Sequence, residues 1–258
     1  MSYRIKRNIY APKLMLPAEE MEWQNAHSIC YDRCNFHCGF CNVRNRNRSE
    51  FHDYSERGFE LAIMVLAQSG NRFKFTGGEP TLNPTLERDI SIVKCQGGIV
   101  FLDTNGSRPK VLRQLLEKGL VDVLALSIKG LDAQEALRVA EIRNQALCWD
   151  NVMESLGIAN EHDEVDSMLT VVLGNGMAAD ANFQRIHRLL KPFPNVRLKI
   201  NNLRENGETR LRNLSANDPD ALGRQIERFT ENHPEYRGRI IYEPTQASVT
   251  EYEQLRFY

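Results

Sequence analysis

Four of the six cysteines, Cys30, Cys34, Cys38 and Cys41, fall within twelve residues, while Cys95 and Cys148 are scattered. The last three of the group read Cys34-Asn-Phe-His-Cys38-Gly-Phe-Cys41, a C-x3-C-x2-C spacing. A secreted disulfide scaffold would spread its cysteines, so tight clustering points to metal or redox chemistry. Two chemistries fit. Iron–sulfur clusters take thiolate ligands, and a [4Fe–4S] cube held by three of them keeps one iron open to a substrate or cofactor. A structural zinc wants a fourth Cys or His, and Cys30 and His37 stand nearby. Cys30 also offers a C-x3-C-x3-C register. Spacing alone leaves both readings open.

Three further segments put polar or flexible residues at the ends of apolar runs. Thr76-Gly77-Gly78-Glu79-Pro80 follows Arg72–Phe75, and Asp103-Thr104-Asn105-Gly106 follows the run 98–102. Ser127 and Lys129 close the run from Val121. Taken singly, these are a Gly-Gly turn, a second turn and a lysine that marks a strand exit. A lysine at the end of an apolar run is nevertheless costly to bury unpaired, which favours a ligand or partner beside it. Taken together and in this order, the segments resemble the radical SAM superfamily. Its signature is C-x3-C-x2-C with an aromatic residue, here Phe40, before the last cysteine. Gly77-Gly78-Glu79-Pro80 looks like that superfamily's "GGEP" motif for S-adenosylmethionine (SAM). The resemblance covers roughly residues 25–205.

The resemblance implies an enzyme with two cofactors, a [4Fe–4S] cluster on Cys34, Cys38 and Cys41 and SAM on its open iron. Reductive cleavage of SAM then gives a 5′-deoxyadenosyl radical that takes a hydrogen atom from the substrate. The cofactor carries the difficult chemistry while the protein positions the reacting atoms. Gly77 and Gly78 would let the backbone approach the SAM amino group, and Glu79 would orient it. Asp103-Thr104-Asn105-Gly106 looks like the "DTNG" motif of glycyl-radical-enzyme activases, the nearest pattern. Lys129 matches the lysine of their "D-x-K" motif and is expected to pair with the SAM carboxylate. Ser127 stands where the activases carry Asp. A monovalent cation beside SAM would then have Asp103 as its main anionic ligand. Thr170-Val171-Val172 resembles the strand that lines the adenine, with core β-branched packing as its bland reading. Arg204 falls where the activases end a strand in a histidine close to SAM. Arg44, Arg46 and Arg48 read as a solvated loop, or as a dock for an acidic electron donor such as flavodoxin or ferredoxin.

The elements that must hold these turns alternate. Strands are expected near 25–29, 72–75, 98–102, 121–128, 168–173 and 196–200. Helices are expected at 56–69, 86–93, 109–118, 133–160 and 182–190, with another at 218–232 and a late strand at 239–242. Short apolar strands covered by helices predict an α/β fold, a partial (β/α)6 TIM-type barrel, with chemistry at the C-terminal strand ends. The turns above all fall there. Residues 1–24 read as an irregular lead-in, 25–206 as the barrel, and 207–258 as a C-terminal extension packed on it.

The chain has 258 residues, 41% hydrophobic and 26% charged, with a net charge of −1. That charge balance gives no reason to expect nucleic acid or an anionic membrane as partner. No apolar run spans a bilayer and no apolar segment follows Arg4, Lys6 and Arg7, so a cytoplasmic enzyme is expected. The reductant is expected to be a flavodoxin or ferredoxin; the activity is expected first to be activation of a glycyl radical enzyme, with a stand-alone enzyme of a biosynthetic pathway acting on a small molecule or a short peptide as the alternative. Cys34→Ala, Cys38→Ala and Cys41→Ala should each abolish SAM cleavage, whereas Cys30→Ala, Cys95→Ala and Cys148→Ala should spare it. Loss of both cluster and activity in Cys30→Ala would select the other register.

Overall fold

The computed structural model describes residues 6–12, 26–41, 52–141, 146–174, 180–203, 215–242 and 252–255. Its strands are β1 (Lys6–Pro12), β2 (His27–Tyr31), β3 (His52–Asp53), β4 (Arg72–Gly77), β5 (Ile99–Thr104), β6 (Val123–Ser127), β7 (Asp166–Leu173), β8 (Arg197–Asn202), β9 (Ile240–Tyr242) and β10 (Tyr252–Leu255). Its helices are α1 (Glu56–Ala67), α2 (Leu86–Cys95), α3 (Pro109–Glu117), α4 (Ala133–Ala140), α5 (Ala146–Glu161), α6 (Asp180–Leu190) and α7 (Pro219–Asn232). One sheet runs β10-β1-β2-β4-β5-β6-β7-β8-β9, with β3 beside β1. From β2 to β9 every neighbouring pair is parallel. This is the expected α/β partial barrel, extended by the short β9.

Side-chain alternation decides which face meets the helices. Ile29, Phe73, Phe75, Val100, Leu102, Leu124, Leu126, Leu169, Val171, Leu198 and Ile200 share one core with helix residues such as Phe59, Ile90, Leu112, Leu156 and Phe183. Phe73 and Phe75 are 0% exposed and flank Lys74. Each buried Phe contributes ~1.5–3 kcal/mol. A slip of one residue would expose both rings and drive the Lys74 ammonium into the core, so the register is fixed. The residues between the outward ones face the concave side. Lys74 aligns with Phe101 and Val123, Asp103 with Ala125 and Met168, and Ser127 with Thr170, Lys199 and Ile241. Phe101, Val123, Ala125 and Met168, with Ile241, form a small separate apolar cluster inside. Asp103, Ser127 and Thr170 lie beyond it, toward the C-terminal strand ends.

Two expectations are corrected. The lead-in is not wholly irregular: Lys6–Pro12 is β1, antiparallel to both β2 and β10. Its partners lie far along the chain, so no local pattern announces it. The single helical region expected over 133–160 is two helices. α4 stops at Ala140, and Glu141 takes a left-handed conformation (φ 47°). Such a turn costs a non-glycine residue roughly 1–2 kcal/mol. The last carbonyls of α4 are used instead by the cysteine loop: His37 N donates to Ala140 O (2.9 Å) and Gly39 N to Val139 O (3.2 Å). A longer helix would take those acceptors away. Asn25, the expected start of the first strand, and the basic residues Arg44, Arg46 and Arg48 lie outside the described residues. Among those described, no helix is long and apolar enough to cross a membrane.

Candidate active site at the strand ends

The cysteine loop leaves β2 and crosses the C-terminal rim of the sheet. Cys38 is 8% exposed and packs with Phe36 and Ala140, with Cys41 against the same cluster. Burial pushes the Cys38 thiol above its ordinary range. Cys34 receives two N–H groups on its sulfur, from Phe36 N (3.4 Å) and Asn105 Nδ2 (3.9 Å). Cys30, the rival ligand, sits inside β2, 2% exposed and in register with Thr76.

The Gly-Gly turn after β4 is pressed against the chain that enters this loop. Gly78 N donates to Tyr31 O (2.7 Å) and Glu79 N to Arg33 O (2.6 Å). Gly77 has φ +103°, and a Cβ there would lie 2.6 Å from Tyr31 N. A Cβ on Gly78 would lie 2.0 Å from Arg33 O. Both glycines are therefore required by the chain's own backbone, whatever approaches from outside. Glu79 is 1% exposed, and its carboxylate accepts from four protein donors. Oε1 accepts from Thr81 N (3.1 Å), Thr81 Oγ1 (2.5 Å) and Thr104 Oγ1 (2.5 Å), and Oε2 from Asn105 N (2.7 Å). Burial raises its carboxyl above the ordinary range in spite of these four bonds. Asn105 likewise turns inward: Oδ1 accepts from Ser107 N (2.9 Å) and Nδ2 donates to Asn35 Oδ1 (2.9 Å).

Beside this rim lies a half-buried charge pair. Lys74 Nζ is 3.5 Å from Asp103 Oδ2 and 4.8 Å from the centre of the Phe101 ring. Asp103 also accepts from Thr76 Oγ1 (3.2 Å) and Ser127 Oγ (3.4 Å). Further round, an open apolar cleft is lined by Phe40, Ile128, Lys129, Val139, Val172 and Leu203, among others. Lys129 Nζ stands 5.9 Å from the centre of the Phe40 ring. The structure thus gathers Phe40, Lys129 and Val172 at one cleft and Asp103 and Ser127 at one carboxylate. Arg204 lies outside the described residues, although its neighbour Leu203 lines the cleft.

Sequence reasoning missed Lys74, Lys199, Asn35 and the hydroxyl of Thr170, a buried Oγ1 with no hydrogen-bond partner. A polar residue between apolar ones in a helix-covered strand was the available signal, in Phe73-Lys74-Phe75 and Leu198-Lys199-Ile200.

Gly78→Ala should lower stability by at least about 1–3 kcal/mol, because backbone rather than a side-chain end must yield. An unchanged urea midpoint would contradict this contact. Glu79 gives a pH test. Its folded-state carboxyl is raised above the unfolded value near 4.5. Its contribution is therefore fully present below about pH 4.5 and is lost as pH rises through the folded value. The urea-stability difference between wild type and Glu79→Gln should move against wild type from pH 4 to pH 8, by about 1.4 kcal/mol for each tenfold gain in the carboxylate's proton affinity on folding. A difference that is flat, or that grows in favour of wild type, would show that the four donors outweigh burial.

Residues 28–190 match the radical SAM superfamily. Among curated proteins, the chain is 25% identical over 238 residues to an S-adenosylmethionine-dependent nucleotide dehydratase of Thermoplasmatales archaeon (strain ISO4-H5), covering 90% of this chain and 79% of that protein. It is 24% identical over 124 residues to a probable GTP 3′,8-cyclase of Thermococcus kodakarensis, covering 48% of this chain but 40% of the cyclase. A putative glycyl-radical enzyme activating enzyme of Methanocaldococcus jannaschii is 27% identical over 103 residues, 37% of this chain and 40% of that protein. Among solved structures, Streptococcus suis SuiB bound to its precursor peptide SuiA superposes with TM-score 0.64 at 17% identity, covering 82% of this chain and 47% of SuiB. TYW1 with a lysine-pyruvate adduct superposes with TM-score 0.58 at 17% identity, over 81% of this chain and 74% of that one. The fold is thus shared with these two structures, and the family match extends over more than half of the sequence. The chain is an enzyme of the radical SAM superfamily.

Proposed function

We propose that this chain is a stand-alone radical SAM enzyme acting on an anionic small molecule, with a nucleotide as the first candidate. Cys34, Cys38 and Cys41 hold the [4Fe–4S] cluster that the superfamily implies. The donor set fits it: one loop carries all three thiols, and its apolar packing leaves Cys38 a protonated thiol until a metal displaces the proton. When bound, the cluster and SAM supply the 5′-deoxyadenosyl radical that takes a hydrogen atom. The chain's own residues do the rest. Lys129 would pair with the SAM carboxylate, and Phe40 and Val172 would offer apolar walls to its adenine. Apolar packing there keeps water from the reacting atoms.

The concave face carries the substrate reading. Lys74 and Lys199 stand on inner positions with the unpartnered Thr170 Oγ1 between β6 and β8. Lys74 pairs with Asp103, and Lys199 stands on the same face. Such a surface suits phosphate or carboxylate groups. The nucleotide dehydratase matches over 90% of this chain. The Lys74 ammonium lies where the activase resemblance implies a monovalent cation, so in this reading Asp103 is already neutralised and needs none. A reductant of the flavodoxin or ferredoxin class completes the system. The second reading, activation of a glycyl radical enzyme, rests on Asp103-Thr104-Asn105-Gly106 and on the shorter activase match.

The test is isotope transfer. Reconstituted protein with SAM, reductant and each ribose-deuterated nucleoside triphosphate should place deuterium in 5′-deoxyadenosine for at least one nucleotide. Lys199→Met should then lower kcat/KM by about 10- to 100-fold, the loss of one charge-assisted contact of ~1.5–3 kcal/mol. No transfer from any nucleotide, with a doublet glycyl radical signal on a co-expressed partner, would establish the activase reading instead.

A further inference from the structure

The Asn105 side chain aims its second amide hydrogen at the Cys34 sulfur. Asn105 is 6% exposed and its other polar atoms are committed. Its N–H is on Glu79 Oε2 (2.7 Å), its Oδ1 takes Ser107 N (2.9 Å), and one amide hydrogen goes to Asn35 Oδ1 (2.9 Å). A side-chain amide has two hydrogens. The second faces Cys34 Sγ at 3.9 Å.

The amide cannot usefully be turned over. Exchange of Oδ1 and Nδ2 would set oxygen against Asn35 Oδ1 and the sulfur, and would point an NH2 at Ser107 N–H. The frame around it is fixed as well. Asn35 Nδ2 donates to Ser107 Oγ (2.9 Å), Asn151 Nδ2 to Ser107 O (3.1 Å), and Ser155 Oγ to Gly106 O (2.8 Å). A thiol sulfur accepts weakly, as the long distance reflects. An iron-bound thiolate carries cluster charge and accepts strongly. Hydrogen bonds to cluster sulfurs set the reduction potential, because the reduced state holds one more negative charge for the donor to stabilise.

We infer that Asn105 is a positioning residue that raises the reduction potential of the cluster by donating its side-chain N–H to the Cys34 sulfur. The inference rests on the reading that Cys34 ligates the cluster. It gives the turn after β5 a task that a SAM contact alone would not require. The donor makes the cluster easier to reduce before SAM arrives, and the Phe36 N–H on the same sulfur acts in the same sense.

The experiment is a redox titration of the reconstituted cluster, followed by electron paramagnetic resonance without SAM. Asn105→Ala and Asn105→Asp should shift the midpoint potential negative, more for Asp because it also brings a charge, with iron and sulfide per chain unchanged. Ser107→Ala, which keeps its backbone N–H on Asn105 Oδ1, should leave the potential in place. Full clusters with wild-type potentials in both Asn105 variants would overturn the inference and reduce Asn105 to a structural link. Should those variants lose the cluster, wild-type protein decides. With asparagine labelled by 15N in the side chain, electron–nuclear double resonance should show a coupling to the reduced cluster, and none would overturn the inference. Retention of the cluster by Cys34→Ala would instead refute the ligand assignment, a separate failure.

Discussion

Glu79 carries its carboxylate into a place closed to solvent, and the rim of the sheet is organised by what that requires. A buried carboxylate is costly unless donors surround it. Here they come from its own 3-10 turn through Thr81 and from the end of β5 through Thr104 and Asn105. The same residue's N–H reaches Arg33 O at the entrance of the cysteine loop. One residue thereby joins two strand ends to the cluster loop. Side-chain loss would leave buried donors unsatisfied at about 1–3 kcal/mol each.

The same need for partners shapes the glycines and the helix after β6. Gly77 and Gly78 allow two backbones to meet at hydrogen-bond distance, a contact that any Cβ blocks. α4 ends early, so its last carbonyls are free to accept from His37 and Gly39. The loop that offers thiols to a metal is thus held by backbone bonds on both sides. Its cysteines therefore do not depend on a metal alone for their position. On the concave face, the Lys74–Asp103 pair puts a protein cation at the strand end.

Much of this was legible in the sequence, and for a physical reason. Strand-end turns need Gly, Asp or Asn, and thiolate loops need close spacing, so Cys34, Gly77, Asp103 and Lys129 announce themselves within a few residues. The alternation of strands and helices gave the barrel, because apolar strands must be covered. What stayed hidden depends on partners distant in the chain. β1 is a strand because β2, β3 and β10 pair with it. The stop at Ala140 follows from a loop a hundred residues earlier. The engagement of Glu79 and Asn105 within the protein is a matter of burial, which a motif does not record. Lys74 and Lys199 were visible as polar residues inside apolar runs, yet only the register shows that they share a face.

The central claim is that the three-cysteine loop holds a cluster with one iron left open for SAM. The most direct measurement is metal analysis of anaerobically reconstituted protein, joined to electron paramagnetic resonance of the reduced state with and without SAM. The account predicts about four irons and four sulfides per chain and a cluster signal whose g-values change when SAM is added. One zinc per chain and no cluster signal, or a cluster spectrum indifferent to SAM, would contradict it.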